Sequence, residues 1–164
     1  MKRFLPVHIG LFVLVIFYIT GCTTKPVTPP TQATLQTRDL QPSAGKALVY
    51  YYNDKIFFNA PLVSLDGASS QFSRNTYVVW EVNPGKHHLE FQRSGLASLT
   101  SAETVKLEIT CESDQTYYFY MQGYDRDTHK IVQADEQAGR AKIEKFSLAG
   151  WFKDGVQVSE PEKK

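Results

Sequence analysis

The chain has 164 residues, a formal net charge of +1 and two cysteines, and 42% of its residues are hydrophobic. This length suits one domain with a single core, and two cysteines exclude a disulfide-rich scaffold. A charge so close to zero gives no electrostatic reason to expect a nucleic acid partner.

The N-terminus has the layout of a signal peptide. Lys2 and Arg3 precede a mostly apolar run over residues 4–19. The run is shorter than the roughly 20 apolar residues of a membrane-spanning helix, and polar Thr- and Pro-rich sequence follows it. We therefore predict a signal peptide over residues 1–21, and a spanning helix is the weaker interpretation.

The last four residues of this stretch, Ile19, Thr20, Gly21 and Cys22, resemble the lipobox of bacterial lipoproteins. In a lipobox the cysteine thiolate accepts a diacylglyceryl group, and multiple acyl chains then anchor the protein stably. The resemblance implies that signal peptidase recognises Ile19, Thr20 and Gly21, and that lipidated Cys22 holds the protein on a lipid bilayer. The alternative is an ordinary secretory signal with a disulfide between Cys22 and Cys111.

The resemblance also implies a location. Thr23, and not aspartate, follows the cysteine, which implies sorting to the outer membrane, facing the periplasm, if the source has two membranes. Cleavage before Cys22 removes two of the 18 Lys and Arg residues and none of the 17 acidic residues, so the net charge becomes −1. Residues 22–45 carry four prolines and few large apolar side chains. They are predicted to form a disordered, extended linker.

The folded sequence is predicted to begin at residue 46. Segments rich in β-branched and aromatic residues alternate with turn-forming dipeptides such as Asp66-Gly67 and Asn83-Pro84. These segments, which we predict to be strands, span residues 47–52, 62–65, 76–82, 87–92, 104–111 and 117–121. Residues 55–59 are either a further short strand or a loop, residues 93–103 are predicted to be a long loop, and residues 129–132 form another short strand.

Two of these strands show a clear alternation of apolar and polar residues. Residues 104–111 place Cys111 on the apolar face, so its thiol is expected to be an inert packing group. Because the turn-prone residues 112–115 follow, 117–121 is predicted to return as the antiparallel partner of 104–111. In the strand 87–92, His87 is expected to face inward and His88 to face water.

The pattern predicts a mostly β domain over residues 46–158, a small antiparallel β-sandwich of prealbumin-like or immunoglobulin-like type. One short C-terminal helix is expected over 134–144, where Ala134, Ala138 and Ala141 share a face and Gly139 weakens the helix. A last element over 146–158 precedes a charged tail at 159–164.

Several motifs in this order resemble bacterial lipoprotein domains known as domain of unknown function 2846. They are the first strand 48–52, the turn Leu65-Asp66-Gly67, the strand 77–80, the segment 84–89 and the pair Tyr117-Tyr118. The resemblance covers roughly residues 46–146. It implies no activity, because the family is uncharacterised and a fold does not give a function.

No residue pattern indicates catalysis or a cofactor. His87 and His88 point to opposite faces of one strand, so they cannot share a metal ion, and His129 has no ligand at suitable spacing. No nucleophile elbow, phosphate-cradling glycine loop or zinc-protease motif occurs. We therefore predict a protein that is not an enzyme and has no metal or cofactor.

The remaining feature of the sequence is its high content of aromatic residues. Tyrosines are grouped in two predicted strands, and Tyr51, Tyr118 and Tyr120 are candidates for an exposed surface that binds an envelope protein or a glycan. Cross-strand packing is the simpler explanation for these side chains. The expected function is a membrane-anchored envelope lipoprotein with a binding or scaffolding domain. The alternatives are an accessory protein that acts on or binds cell-wall glycan, and a lipoprotein subunit of a secretion apparatus.

Overall fold

The computed structural model describes residues 31–57, 60–93, 104–123 and 129–158. The predicted signal peptide, the lipobox residues with Cys22, the tail 159–164 and residues 94–103 of the predicted loop lie outside these ranges. Within them, no helix is both long enough and apolar enough to cross a membrane.

The described residues form a mostly β structure with two short helices. Their elements, in chain order, are α1 (Gln32–Arg38), β1 (Ala47–Asn53), β2 (Leu62–Leu65), β3 (Ala68–Gln71), β4 (Thr76–Val82), β5 (Gly85–Gln92), β6 (Thr104–Cys111), β7 (Thr116–Gln122), β8 (Lys130–Ala134), α2 (Glu136–Ile143), β9 (Ser147–Lys153) and β10 (Val156–Gln157). Most predicted strands and the late helix are confirmed. Residues 55–57 are not a strand, and residues 58–59 of that predicted segment lie outside the described ranges.

The strands build two sheets, one mixed and one antiparallel. The six-stranded sheet has the order β10-β9-β4-β1-β7-β8, and the four-stranded sheet has the order β3-β2-β5-β6. The predicted all-antiparallel sandwich is wrong, because β1 pairs in parallel with β7 and β4 pairs in parallel with β9. Alternation along a strand shows only which face is buried and carries no information about the direction of its neighbour.

The predicted hairpin between residues 104–111 and 117–121 is also wrong. β6 pairs with β5 at the edge of the four-stranded sheet, whereas β7 pairs with β1 and β8 in the other sheet. The four residues between them cross from one sheet to the other, a distance of about 10 Å. Asp114 N donates to Lys46 O at 2.6 Å and Leu48 N donates to Gln115 O at 2.9 Å, so the crossing leads directly into the parallel pairing with β1.

The larger hydrophobic core lies between the two sheets. Trp80 of β4 stacks on Phe152 of β9, with ring centroids 6.0 Å apart. Its Nε1 donates to the carbonyl of Ala68 in β3 at 2.9 Å. Trp80 therefore contributes buried apolar area and a hydrogen bond that links the two sheets.

A second cluster covers the outer face of the six-stranded sheet. Tyr50 and Tyr118 stack there with centroids 5.2 Å apart, beneath Ile143 of α2. A Cβ added at Gly139 would lie 2.2 Å from Cγ of Tyr118. The glycine that weakens the predicted helix is thus the point at which α2 contacts the sheet.

Residues 32–38 contradict the predicted linker over 22–45. They form α1, in which Ala33, Thr34 and Thr37 are buried against the sheet. Small and polar residues do not form a recognisable hydrophobic stripe, so the sequence pattern misses the helix. The folded domain therefore begins at Thr31 or earlier, and α1 and α2 together form a third layer over the six-stranded sheet.

Candidate functional site

The predicted tyrosine surface is wrong for two of its three members. Tyr51 is 1% exposed and Tyr118 is 2% exposed. Tyr120 is half-buried and stacks on Tyr52 with centroids 5.4 Å apart. Both faces of the six-stranded sheet are covered, one by the second sheet and the other by helices, so Tyr51 and Tyr118 do not face solvent. Burial raises the pKa of Tyr52 to about 12.

Two other strand tyrosines hold α1 in place. Tyr77 Oη donates to the carbonyl of Thr34 at 3.0 Å and lies 2.7 Å from Thr37 Oγ1. Tyr50 Oη donates to the carbonyl of Thr37 at 2.6 Å. These buried hydroxyls satisfy backbone carbonyls of the helix, so their role is structural.

Tyr51 and Tyr77 allow a matched test of this assignment. Within the described part of the chain, the Tyr51 hydroxyl is buried without a hydrogen-bond partner. Tyr51→Phe removes an unsatisfied polar group and is expected to raise the free energy of unfolding by about 1 kcal/mol. Tyr77→Phe removes two hydrogen bonds of α1 and is expected to lower it by about 1–2 kcal/mol. Chemical denaturation of both variants would measure the difference, and equal effects of the same sign would contradict the assignment.

His87 lies in a closed hydrogen-bond arrangement. It faces inward and His88 faces solvent, as predicted. Nδ1 of His87 lies 2.6 Å from Asp66 Oδ2, and Nε2 lies 2.8 Å from the carbonyl of Asn83. Although burial opposes ionisation, hydrogen bonds from His87 and His88 hold the pKa of Asp66 below its ordinary value.

Cys111 lies on the same inner face of the four-stranded sheet, as predicted, and it is buried. Burial, and then the negative charge of Asp66, raises the pKa of its thiol to about 11. Both ring nitrogens of His87 already have partners, so neither is placed to activate the thiol. His87 and Asp66 therefore hold the turn between β2 and β3 against the sheet, and Cys111 does not form a nucleophile with His87 as its base.

Among the described residues, no group of three or more His, Cys, Asp or Glu side chains is arranged to hold a metal ion. One surface cleft of the described residues instead has charged side chains that are mostly basic.

A cleft of about 650 Å³ opens at the end of the sandwich where β1 and β7 finish and β4 and β8 begin. Five basic side chains of the described residues line it, and each comes from a different segment of the chain: Lys55, Arg74, Arg93, His129 and Lys142. We call this site the basic cleft. Asp54 is the one carboxylate among its described lining residues, and Ile56, Phe57 and Phe146 form its apolar wall.

Asn53 holds two of the loops that supply these side chains. It is 2% exposed, and its Nδ2 donates to the carbonyls of Lys55 at 2.9 Å and Ser73 at 3.1 Å. Asn75 has a φ of 59°, a left-handed conformation that asparagine tolerates better than most residues. The backbone amide of Asn75 donates to the carbonyl of Asn53 at 2.7 Å. The backbones that carry Lys55 and Arg74 are thereby tied to the end of β1.

The electrostatics of the basic cleft are set by one ion pair and one partly desolvated lysine. Lys142 Nζ lies 2.8 Å from Asp54 Oδ2, and both side chains are nearly half exposed, so this pair contributes at most about 1 kcal/mol. Lys55 Nζ donates to the carbonyl of Gly123. Burial lowers the pKa of Lys55, and the negative charge of Asp54 opposes this effect.

A second groove, of about 520 Å³, shares Asp54, Lys55, Gly123 and Lys142 with the basic cleft. Tyr52 and Tyr120 line its wall. Tyr120, alone of the predicted surface tyrosines, therefore borders an open site, and that site adjoins the basic cleft.

The basic cleft was not predicted from the sequence. Its basic residues come from loops, strand ends and helix α2 that are far apart along the chain, and each is an unremarkable surface cation by itself. The strand order and the packing of α2 on the sheet bring them together. The predicted lipidation site, Cys22 with Ile19, Thr20 and Gly21, lies outside the described residues and remains a prediction.

Residues 43–134 match a family model described as Protein of unknown function (DUF2846). The match spans β1 to β8 and includes Lys55, Arg74, Arg93 and His129 of the basic cleft, and it ends before α2 and Lys142. No curated protein matches the chain.

Proposed function

Because the chain belongs to the family described as Protein of unknown function (DUF2846), whose description states no activity, we propose a function from sequence and geometry. The protein is a lipid-anchored, non-enzymatic envelope protein that binds another envelope component in its basic cleft. The observation that carries this proposal is the convergence of five basic side chains from five segments on one cleft, within a chain whose net charge is only +1.

The anchor in this proposal is Cys22. The resemblance of residues 19–22 to a lipobox supports it, and so does the signal-peptide layout before them. Eight residues lie between Cys22 and Thr31, the N-cap of α1, and the nine residue-to-residue steps span about 30 Å in a fully extended chain. A linker that ended at residue 45 would be longer, so the domain is held closer to the membrane than the predicted linker over 22–45 implies. The proposed location is the outer membrane, facing the periplasm, in a source with two membranes.

The charge of the site favours binding over glycan hydrolysis. A glycosidase normally places two carboxylates on either side of the bond that it cuts. The described lining of the basic cleft offers one carboxylate, Asp54, which is paired with Lys142. Asp135 in the adjoining groove caps α2 by accepting a hydrogen bond from Ala138 N at 2.8 Å.

Photo-crosslinking in the native host tests whether this end of the domain meets a ligand. Ile56 in the basic cleft is 70% exposed, and Val156 in β10, toward the opposite end of the sandwich, is 71% exposed. A photoreactive amino acid at position 56 is expected to give a discrete adduct by mass spectrometry, whereas the same group at position 156 gives none. No adduct at position 56, or identical adducts at both positions, would rule out the proposed binding site.

A further inference from the structure

We infer that the basic cleft binds a phosphoryl group, in the form of a phosphate monoester. This inference rests on the proposed function, because it names the chemical class of the ligand for the same site. It is carried by the charge of the cleft, by the two arginines in it and by the rigidity of the loops that present one of them.

The net charge of the cleft suits an anion with more than one negative charge. Among the described lining residues, Lys142 pairs with Asp54, and Arg74 and Arg93 add two positive charges that take part in no ion pair there. A phosphate monoester carries about −1.5 to −2 at neutral pH and has three acceptor oxygens, whereas a carboxylate carries a single charge. The monoester is therefore the better match in charge and in acceptors.

The two guanidinium groups are available to a ligand. Exposed lysines elsewhere in the described part of the chain, such as Lys86 and Lys153, pair with carboxylates, whereas Arg74 and Arg93 form no ion pair with a described residue. Arginine presents a planar set of donors that binds two phosphate oxygens at once, which is why it recurs at phosphate sites. Two such groups line this one cleft, which suits a phosphoryl group better than isolated surface lysines do.

The segments that carry Lys55 and Arg74 are held by hydrogen bonds within the protein itself. Asn53 ties the segment of Lys55 to the segment of Arg74 through its side-chain amide, and Ser147 N donates to Asn75 O at 3.0 Å from β9. Ser73 and Thr76 close the remaining turn, since Thr76 Oγ1 donates to Ser73 O at 2.8 Å. A preformed backbone lowers the entropic cost of binding. The partial burial that lowers the pKa of Lys55 also strengthens electrostatic attraction in the cleft.

A phosphate monoester in the envelope has two sources, a soluble ester and a lipid headgroup. The same cations would bind either one, so the test uses a probe for each. Glycerol 3-phosphate represents the soluble ester. Dihexanoyl phosphatidic acid, with dihexanoyl phosphatidylcholine as its zwitterionic control, represents the headgroup.

Calorimetric titration of the intact protein purified from its host measures binding of both probes at low ionic strength. The double variant Arg74→Gln with Arg93→Gln is expected to bind the probe roughly tenfold or more weakly. The matched control, Lys86→Gln with Lys106→Gln, makes the same change in net charge at exposed positions of the four-stranded sheet and is expected to change affinity less than about twofold. Arg74→Lys with Arg93→Lys keeps the charge and is expected to give an intermediate loss.

Binding of glycerol 3-phosphate that depends on the two arginines supports the inference with a soluble ligand. Binding of phosphatidic acid alone, with the same dependence, supports it with a lipid headgroup. The inference is wrong if neither probe binds, or if both glutamine variants weaken binding equally. In that case an adduct from position 56 would still support a binding site for a ligand of different chemistry. Thermal unfolding of each variant shows whether it is folded. If the double glutamine variant of Arg74 and Arg93 does not fold, the double lysine variant provides the test.

Discussion

Replacing Trp80 with alanine is expected to lower the free energy of unfolding by about 3–5 kcal/mol, the usual cost of truncating a buried aromatic residue. Trp80 is 1% exposed, stacks on Phe152 and donates the hydrogen bond to Ala68 that joins the two sheets. The substitution removes the indole from the centre of the core and leaves the Ala68 carbonyl without this donor. Urea denaturation followed by circular dichroism measures the loss without relying on tryptophan fluorescence.

Trp80→Phe separates the two contributions. It keeps an aromatic ring next to Phe152 and removes only the Nε1 donor and part of the area, so we expect a loss of about 1–2 kcal/mol. If Trp80→Ala and Trp80→Phe cost the same, the hydrogen bond between the sheets would dominate. If Trp80→Ala cost less than about 1 kcal/mol, the assignment of Trp80 to the centre of the core would be contradicted.

Gly139→Ala is expected to lower the free energy of unfolding by about 2–3 kcal/mol, although alanine favours helices over glycine by about 1 kcal/mol. The added Cβ would lie 2.2 Å from Cγ and 2.5 Å from Cβ of Tyr118. These two atoms lie next to the backbone of Tyr118, and its ring already stacks on Tyr50. A change of rotamer therefore cannot remove the clash. Either α2 moves away from the sheet or the tyrosine stack is broken.

The control for this prediction is Gln137→Ala, an exposed position of the same helix. There the substitution changes helix propensity alone, and we expect a change within about 0.5 kcal/mol. Thermal unfolding of both variants by circular dichroism gives the comparison. A Gly139→Ala variant as stable as the parent would show that α2 does not pack on Tyr118 as described.

Local sequence pattern predicts the strands of this protein well, for a physical reason. The alternation in β5 places His87, Leu89 and Phe91 inward, and the two-sided apolar pattern of β4 predicts a central strand. Both predictions are possible because side chains alternate between the two faces of a strand, so a buried face requires an apolar residue at every second position. The Asp66-Gly67 turn is confirmed as the β2–β3 hairpin, where both residues have positive φ.

No comparable sequence pattern indicates which of the two sheets a strand joins. A strand with one apolar face satisfies its burial equally well beside its chain neighbour or across the core from it. β6 and β7 take the second arrangement, and the stacks of Tyr118 on Tyr50 and Tyr120 on Tyr52 accompany the pairing of β7 with β1. These are contacts between residues far apart in sequence, so the parallel pairing follows from the tertiary structure alone.

The basic cleft and α1 escape prediction for related reasons. The cleft depends on which strand ends meet, and α1 is held by hydrogen bonds from Tyr50 and Tyr77 to backbone carbonyls, not by a hydrophobic stripe. Of the tyrosines predicted to form an exposed binding surface, Tyr51 instead packs in the core between the sheets and Tyr118 packs beneath α2. Tyrosine suits both roles because it joins a large apolar ring to one polar atom.

We propose that this domain is held on the envelope membrane by lipidated Cys22. Mass spectrometry of the protein isolated from its native host tests this claim most directly. The expected N-terminal peptide begins at Cys22 and carries the mass of a diacylglyceryl thioether. A chain that still begins at Met1, or one that begins at Cys22 without acyl groups, would contradict the claim.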